Sequence, residues 1–282
     1  MSNQPIVILG MHRSGTTMVT KLLENLGLFV GAEKEPNNEA MFFWEINNWI
    51  FDLHTATAEK PYNMQFTNPA CRKVIEESLH YHVQSRRKKK FLGALNNQFS
   101  SITELDIPWG WKDPKNTFTL DFWKSVFPNP KIIHIYRNPV DSIASYIERD
   151  LVLKNKFEWN WKKKLKRNLL VSKNFHENFR IYDFEQGYLV WKAYVEKASS
   201  LKYDNTDFIE IKYEDFLSEP EIYLAQLLDF CGLSPDENAR YIQIKQLKKD
   251  RAYAFTQNEK LYAFYQQIKE DNIVKYLGYG DL

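Results

Sequence analysis

Residues 6–27, IVILGMHRSGTTMVTKLLENLG, leave a chain little choice of fold. Four apolar residues make a short buried strand, and a polar turn bounded by Gly10 and Gly15 follows. Met18, Val19, Leu22, Leu23 and Leu26 then recur at helical spacing up to Gly27, which closes the helix as a C-terminal cap. A strand that passes through such a turn into a helix aims the first helical N–H groups, and the positive end of the dipole, at an anion. The glycine spacing is that of a nucleoside-triphosphate loop. Thr16, however, stands where that loop has lysine, and the nearest cation is Arg13, inside the turn.

The alternation continues. PKIIHIYRNP is a second strong strand signal, followed by Asn138 as helix cap and Pro139 at the first helical position, with Asp141 where a capping carboxylate belongs. DFIEIKYEDF reads as a third strand, and YLAQLLDFCGL as a helix ended by Gly232. LFVG reads as a further short strand, residues 36–60 as aromatic-rich and partly helical, and residues 70–105 and 151–200 as mostly helical. Strands alternating with helices predict an α/β fold of three layers, a parallel sheet with helices on both faces. Length and composition, 282 residues with 44% hydrophobic and 26% charged, fit one domain over 1–282. A net charge of +2 gives no global field for nucleic acid, so any anion preference is local. No apolar run is long enough to span a membrane and no signal peptide precedes Pro5, which predicts a cytoplasmic protein. Cys71 and Cys231 lie far apart without metal-ligand spacing, and no metal is expected. The oligomeric state cannot be read.

The second strand ends in Tyr136-Arg137 rather than in the aspartate that would help hold Mg²⁺. Both departures point away from ATP and towards an anion handled without metal. Ser142, Ser145 and Arg149 are spaced three and four apart and share one face of the helix that follows. With Arg137 they predict a second phosphate site at the carboxyl end of the strands. Together with the first loop, they imply a nucleotide carrying phosphate at both ends.

These motifs resemble the sulfotransferase family, which uses 3′-phosphoadenosine 5′-phosphosulfate (PAPS). HRSGTT resembles its 5′-phosphosulfate loop, which implies cofactor contacts from Arg13, Ser14, Gly15, Thr16 and Thr17. YRNPVDSIAS resembles its 3′-phosphate motif, with Arg137 and Ser145 in the contacting positions, and Arg149 falls where protein-tyrosine members have a nucleotide-binding arginine. IKYEDF resembles a segment that places Tyr213 near the adenine. WGWKDPK resembles the Lys-Asp-Pro segment of protein-tyrosine sulfotransferases, whose lysine stabilises the transition state, a role that carries over to Lys112. Cytosolic members usually have lysine where this chain has Arg13; arginine also occurs there in tyrosine-protein and many bacterial members. The resemblance implies a P-loop NTPase-like fold and transfer of the sulfuryl group of PAPS to a hydroxyl of a glycan or small-molecule acceptor, with PAP as product.

A hydroxyl acceptor calls for a base. PNNEAMFFWE resembles a stretch of glycosaminoglycan sulfotransferases in which a glutamate before an aromatic pair deprotonates the acceptor, and this maps onto Glu39 before Phe42-Phe43. An aromatic-glutamate pair common in bacterial members maps onto Trp44-Glu45. Glu39 is the first candidate and Glu45 the second, with Glu33 and His54 behind them. The basic runs Arg86–Lys90 and Lys162–Arg167 read as solvated helix faces, or as a track for an anionic glycan. Three alternatives stay open: a P-loop kinase of a small molecule, a non-catalytic protein that binds PAPS or PAP, and a glycan-binding structural protein that uses the basic runs.

Overall fold

The computed structural model describes residues 4–158, 161, 165, 183–203 and 207–282. Four strands, β1 (Ile6–Leu9), β2 (Gly110–Lys112), β3 (Lys131–Tyr136) and β4 (Phe208–Lys212), form a sheet in the order β2-β1-β3-β4. All three pairings are parallel; Ile8 lies opposite Lys112 on one side and Ile133 on the other. The first helices are α1 (Thr16–Asn25), α2 (Met41–Leu53), α3 (Pro69–His82), α4 (Lys89–Leu92), α5 (Asn116–Trp123) and α6 (Pro139–Glu158).

The chain divides into two compact units: Met1–Arg137 with Ala193–Ala252, and Asn138–Lys192 with Tyr253–Leu282. The first unit contains the whole sheet. Side chains alternate across a strand, so its residues feed two separate cores. Val7, Leu9 and Ile132 pack with Phe43, Ile46 and Ile50 of α2 and with Leu120 and Trp123 of α5. Ile6, Ile8, Ile133 and Ile135 pack instead with Val19, Leu22 and Leu23 of α1 and with Leu224 and Leu227 of the helix Pro220–Cys231. This is the three-layer α/β arrangement that the alternation predicts. Each fully buried large apolar side chain contributes about 1.5–3 kcal/mol relative to exposure.

The cap of α1 is also as read. Gly27 has φ 110, its N–H donates to Glu24 O at 3.1 Å, and the N–H of Leu28 donates to Leu23 O at 2.9 Å. These are the two bonds of a Schellman cap, which needs a left-handed residue. Three local expectations change. LFVG gives only an isolated bridge between Phe29 and Trp109. WGWKDPK holds the unanticipated strand β2, too short to show a period. The third strand stops at Lys212, and YEDF opens a helix, Tyr213–Ser218, with Glu214 and Asp215 in its first turn, where the dipole favours them.

In the second unit, Asn138 caps α6 as predicted: its Oδ1 accepts the N–H of Val140 at 2.9 Å and of Asp141 at 3.3 Å. Asp141 does a different job. Its carboxylate accepts the N–H groups of Ala254 (3.2 Å) and Phe255 (2.9 Å) and so caps the short helix Ala254–Gln257. Val140 and Ile143 pack there with Phe255, Phe264, Tyr265 and Ile268. Of the basic run Lys162–Arg167, only Leu165 is described, so that expectation lies outside the described residues. Both cysteines are free thiols.

Candidate active site

The loop between β1 and α1 needs both of its glycines. Gly10 has φ 137, and a Cβ there would lie 2.1 Å from the carbonyl oxygen of Ile135 on β3. Gly15 has φ 94, and its Cβ would lie 2.3 Å from the ring of Tyr213. Arg13 is exposed and takes φ 70, an uncommon conformation for a residue with a side chain, while Ser14 and Thr16 are buried. Gly15 caps α1 without a side-chain hydrogen bond, so the first-turn amides have no side-chain acceptor from the cap.

Lys112 is the last residue of β2, opposite Ile8, and therefore comes to the carboxyl edge of the sheet beside this loop. Its ammonium is 1% exposed and donates to Glu39 Oε1 at 2.7 Å and to the carbonyl oxygen of Asn37 at 2.7 Å. The Thr17 hydroxyl lies 3.4 Å from the same ammonium and donates to the same Asn37 carbonyl at 3.1 Å. Two residues 73 positions apart, singled out separately in the sequence, thus form one buried ion pair at the phosphate-type loop. Burial raises the Glu39 carboxyl to about 7, helped by the neighbouring Glu35 carboxyl and opposed by Lys112. A carboxylate of that strength accepts a proton near neutral pH.

Arg137, at the end of β3, is buried, with its guanidinium 4.8 Å from the centre of the Tyr213 ring. Its Nη1 donates to Arg13 O at 3.4 Å and its Nη2 to Arg251 O at 2.6 Å. Tyr213 therefore stands between Gly15 and Arg137, and joins the loop to the second predicted phosphate contact. In the second unit, Ser145 is half-buried on α6. Arg149 stacks 4.1 Å from the Tyr146 ring and donates to Asp150 Oδ1 through Nε (3.1 Å) and Nη2 (2.8 Å). Ser142 is fully buried and so is not on the solvent side of that helix.

The other base candidates lie apart from the Lys112–Glu39 pair. Glu45 binds Lys90 (2.5 Å) and Arg87 (2.9 Å). Burial works to raise its carboxyl, but the two cations outweigh it and hold it below its usual range, which makes it a poor base. That contact also occupies part of the run Arg86–Lys90. His54 follows the far end of α2, where Nδ1 meets Ile50 O at 2.7 Å and Nε2 meets Thr67 Oγ1 at 2.6 Å. Glu33 is exposed.

What the sequence reading missed is the frame beneath the pair. Asn47 of α2 donates to Asp113 Oδ2 (2.9 Å) and to Asn116 Oδ1 (3.0 Å), and its Oδ1 accepts from Thr119 (2.9 Å) and Trp123 Nε1 (2.8 Å). Asp113 is fully buried, which pushes its carboxyl up, and it also accepts the N–H of Lys115 at 2.9 Å. Phe43 of α2 stacks on Trp111 of β2 with ring centres 4.0 Å apart. These contacts tie the helix that follows Glu39 to the strand that carries Lys112. One signal was available: Asn47 sits on the apolar stripe of Phe43, Ile46, Ile50 and Phe51, where a polar side chain has to find buried partners.

Among the described residues, no group of three or more His, Cys, Asp or Glu is placed to hold a metal ion, and no helix is long and apolar enough to cross a membrane.

A parallel sheet with a glycine-bounded loop and a buried lysine–carboxylate pair at its carboxyl edge defines an α/β protein. The model of the sulfotransferase family matches residues 5–237, and the chain belongs to that family. It is 22% identical over 245 residues to an uncharacterized protein of Aquifex aeolicus, covering 82% of this chain and 26% of that one. The chain thus spans about a quarter of that relative's length. Among solved structures, it is similar to a sulfotransferase from Alicyclobacillus acidocaldarius, with TM-score 0.48, 17% identity and coverage of 95% of this chain and 93% of that one. It is also similar to the sulfotransferase STF9 from Mycobacterium avium, with TM-score 0.48, 12% identity and coverage of 95% and 77%.

Proposed function

We propose that this chain transfers the sulfuryl group of PAPS to a hydroxyl of a glycan or small-molecule acceptor, releasing PAP and a sulfate ester. The observation that carries the reading is the buried Lys112–Glu39 pair beside the Gly10–Thr17 loop. The residues fit such a donor. The loop has two obligatory glycines and no side-chain cap, and a buried arginine stacked on Tyr213 supplies a second cationic position. PAPS would supply an activated sulfuryl group joined through a bridging oxygen to its 5′-phosphate.

The chain's own residues divide the remaining work. Loop amides, with the hydroxyls of Ser14, Thr16 and Thr17, hold the 5′ end, and Arg137 the 3′-phosphate, with Ser145 and Arg149 assigned to the nucleotide by family resemblance alone. Tyr213 would lie near the adenine. Glu39 takes the acceptor's proton while the acceptor oxygen forms its bond to sulfur and the bond from sulfur to the bridging oxygen breaks. Lys112 and Arg13 stabilise the negative charge that grows on that oxygen. Arginine does not readily release a proton, so Arg13 acts as an electrostatic clamp. The reading includes a metal-free reaction and a cytoplasmic location.

Titration calorimetry with PAP and with Mg–ATP, each with and without chelator, tests the donor. PAP should bind tightly and independently of metal; equal or better binding of Mg–ATP would overturn the reading. Labelled PAPS incubated with a lysate of the source cell, followed by identification of the labelled product, names the acceptor. Tight PAP binding without turnover on any acceptor would favour a nucleotide-binding protein instead.

A further inference from the structure

Glu35 lies outside the ion pair, yet its carboxylate organises the turn that carries Glu39. Oε1 accepts the N–H of Asn37 at 2.5 Å and of Glu39 at 3.1 Å, and Oε2 accepts Nδ2 of Asn37 at 3.0 Å. The backbone closes the same turn: Glu35 N–H donates to Glu39 O and Asn38 N–H to Glu35 O, both at 2.9 Å, with Asn38 at φ 70. As a result, the Asn37 carbonyl and the Glu39 carboxylate converge on one ammonium, each 2.7 Å from Lys112 Nζ. Accepting the Glu39 N–H brings the Glu35 carboxylate beside Glu39, and it raises the Glu39 carboxyl.

We propose that Glu35 is a positioning residue for Glu39: its carboxylate fixes the 35–39 turn around Lys112 and so places Glu39, with a second carboxylate beside it, to take the acceptor's proton. The proposal rests on the sulfuryl-transfer reading for its function but not for its geometry. Lys112 alone would favour the ionised form of Glu39 and so weaken it as a base; a second carboxylate nearby opposes this. Among the described residues, the charged groups facing Glu39 are Lys112 of β2, Asp113 next to it, and Glu35 of its own turn, and α1 contributes the uncharged hydroxyl of Thr17, through Asn37. Glu35 is half-buried, whereas Glu39 is 4% exposed, and burial raises the Glu39 carboxyl.

The test is carboxyl-carbon NMR of the full chain with labelled glutamate, the Glu39 signal being assigned by its loss in Glu39→Gln. In Glu35→Gln, the Glu39 midpoint should fall by roughly one pH unit, the usual effect of removing an adjacent like charge. The acid limb of single-turnover sulfuryl transfer should move with it. A merely structural role for Glu35 would lower turnover without moving either midpoint, and that result overturns the proposal. Should Glu35→Gln fail to fold, the wild type decides: a two-step titration of the Glu39 signal, as two interacting carboxyls give, supports the proposal, and a single step overturns it. A midpoint that moves in a protein without turnover leaves the positioning role standing and removes the sulfuryl-transfer reading.

Discussion

Lys112 and Glu39 are coupled, so neither can be changed alone. Glu39→Gln removes the proton acceptor but keeps the shape of the side chain, and Glu39 belongs to the acceptor side of the proposed reaction. Turnover should fall by roughly a hundred- to ten-thousand-fold, the usual contribution of a positioned base, while PAP affinity stays nearly unchanged. Glu45→Gln, which disturbs only the contacts to Lys90 and Arg87, should leave turnover near wild type. Single-turnover transfer and PAP titration on both variants separate these outcomes, and a normal Glu39→Gln would remove the assignment. In the wild type, turnover should rise with pH through about 7, because the base acts as carboxylate. Lys112→Ala removes the ammonium that lowers Glu39, so its carboxyl should protonate at still higher pH. The pH limb should then move upward, opposite in sign to the effect of Glu35→Gln, in addition to the loss of charge stabilisation in the transition state. Lys112→Arg should restore the position of the limb more than the rate.

At the scale of elements, the strands and the loop were legible because each has a period or a punctuation that physics reads locally: IVIL before Gly10, KIIHIY before Arg137, Gly27 after α1. Strand β2 was not, because three residues carry no period and its place is set by pairing with β1 across 100 intervening residues of chain. The contact between Glu39 and Lys112 was hidden for the same reason; each residue was legible through family resemblance, but their meeting depends on how α2 packs on β2. Asn47 makes that packing specific. Asn47→Ala should cost roughly 3 kcal/mol, since Asp113, Trp123 and Thr119 each lose a buried partner. Urea unfolding reads this, and a loss below 1 kcal/mol by the same scale would mean that water replaces the amide. The sheet edge gives a second case. Glu210 on β4 meets His134 Nδ1 of β3 at 3.2 Å and Lys202 at 2.7 Å. Burial acts to raise its carboxyl, but these partners bring it down to about 2. A lowered native value stabilises the fold above the ordinary carboxylate range and is lost as pH falls towards 2. Glu210→Gln should therefore be less stable than wild type near neutral pH by roughly 1 kcal/mol, allowing for screening at a partly exposed strand, with the gap closing in acid.

For the molecule as a whole, the family match over residues 5–237 includes parts of both compact units, so the family's pattern is not confined to the sheet. Binding then becomes a test that reads the entire chain. A ligand that binds only the folded state stabilises it by about 2.7 kcal/mol at a hundred times its Kd, which for a chain of this size raises Tm on the order of 5 °C. PAP should give that shift in chelator, and ATP should give less. Arg137→Ala is the decisive variant, but it removes more than a phosphate contact: Arg137 also bonds Arg13 O and Arg251 O and stacks on Tyr213. Its Tm without ligand should therefore fall too, and only the difference with and without PAP is informative. Losing one partner of a desolvated charge pair costs roughly 2–5 kcal/mol of binding, enough to abolish the shift at the same PAP concentration. Arg137→Lys keeps the charge but not the planar fork, and should recover the shift only in part. A folded Arg137→Ala that keeps the full PAP shift would place the 3′-phosphate contact on other residues.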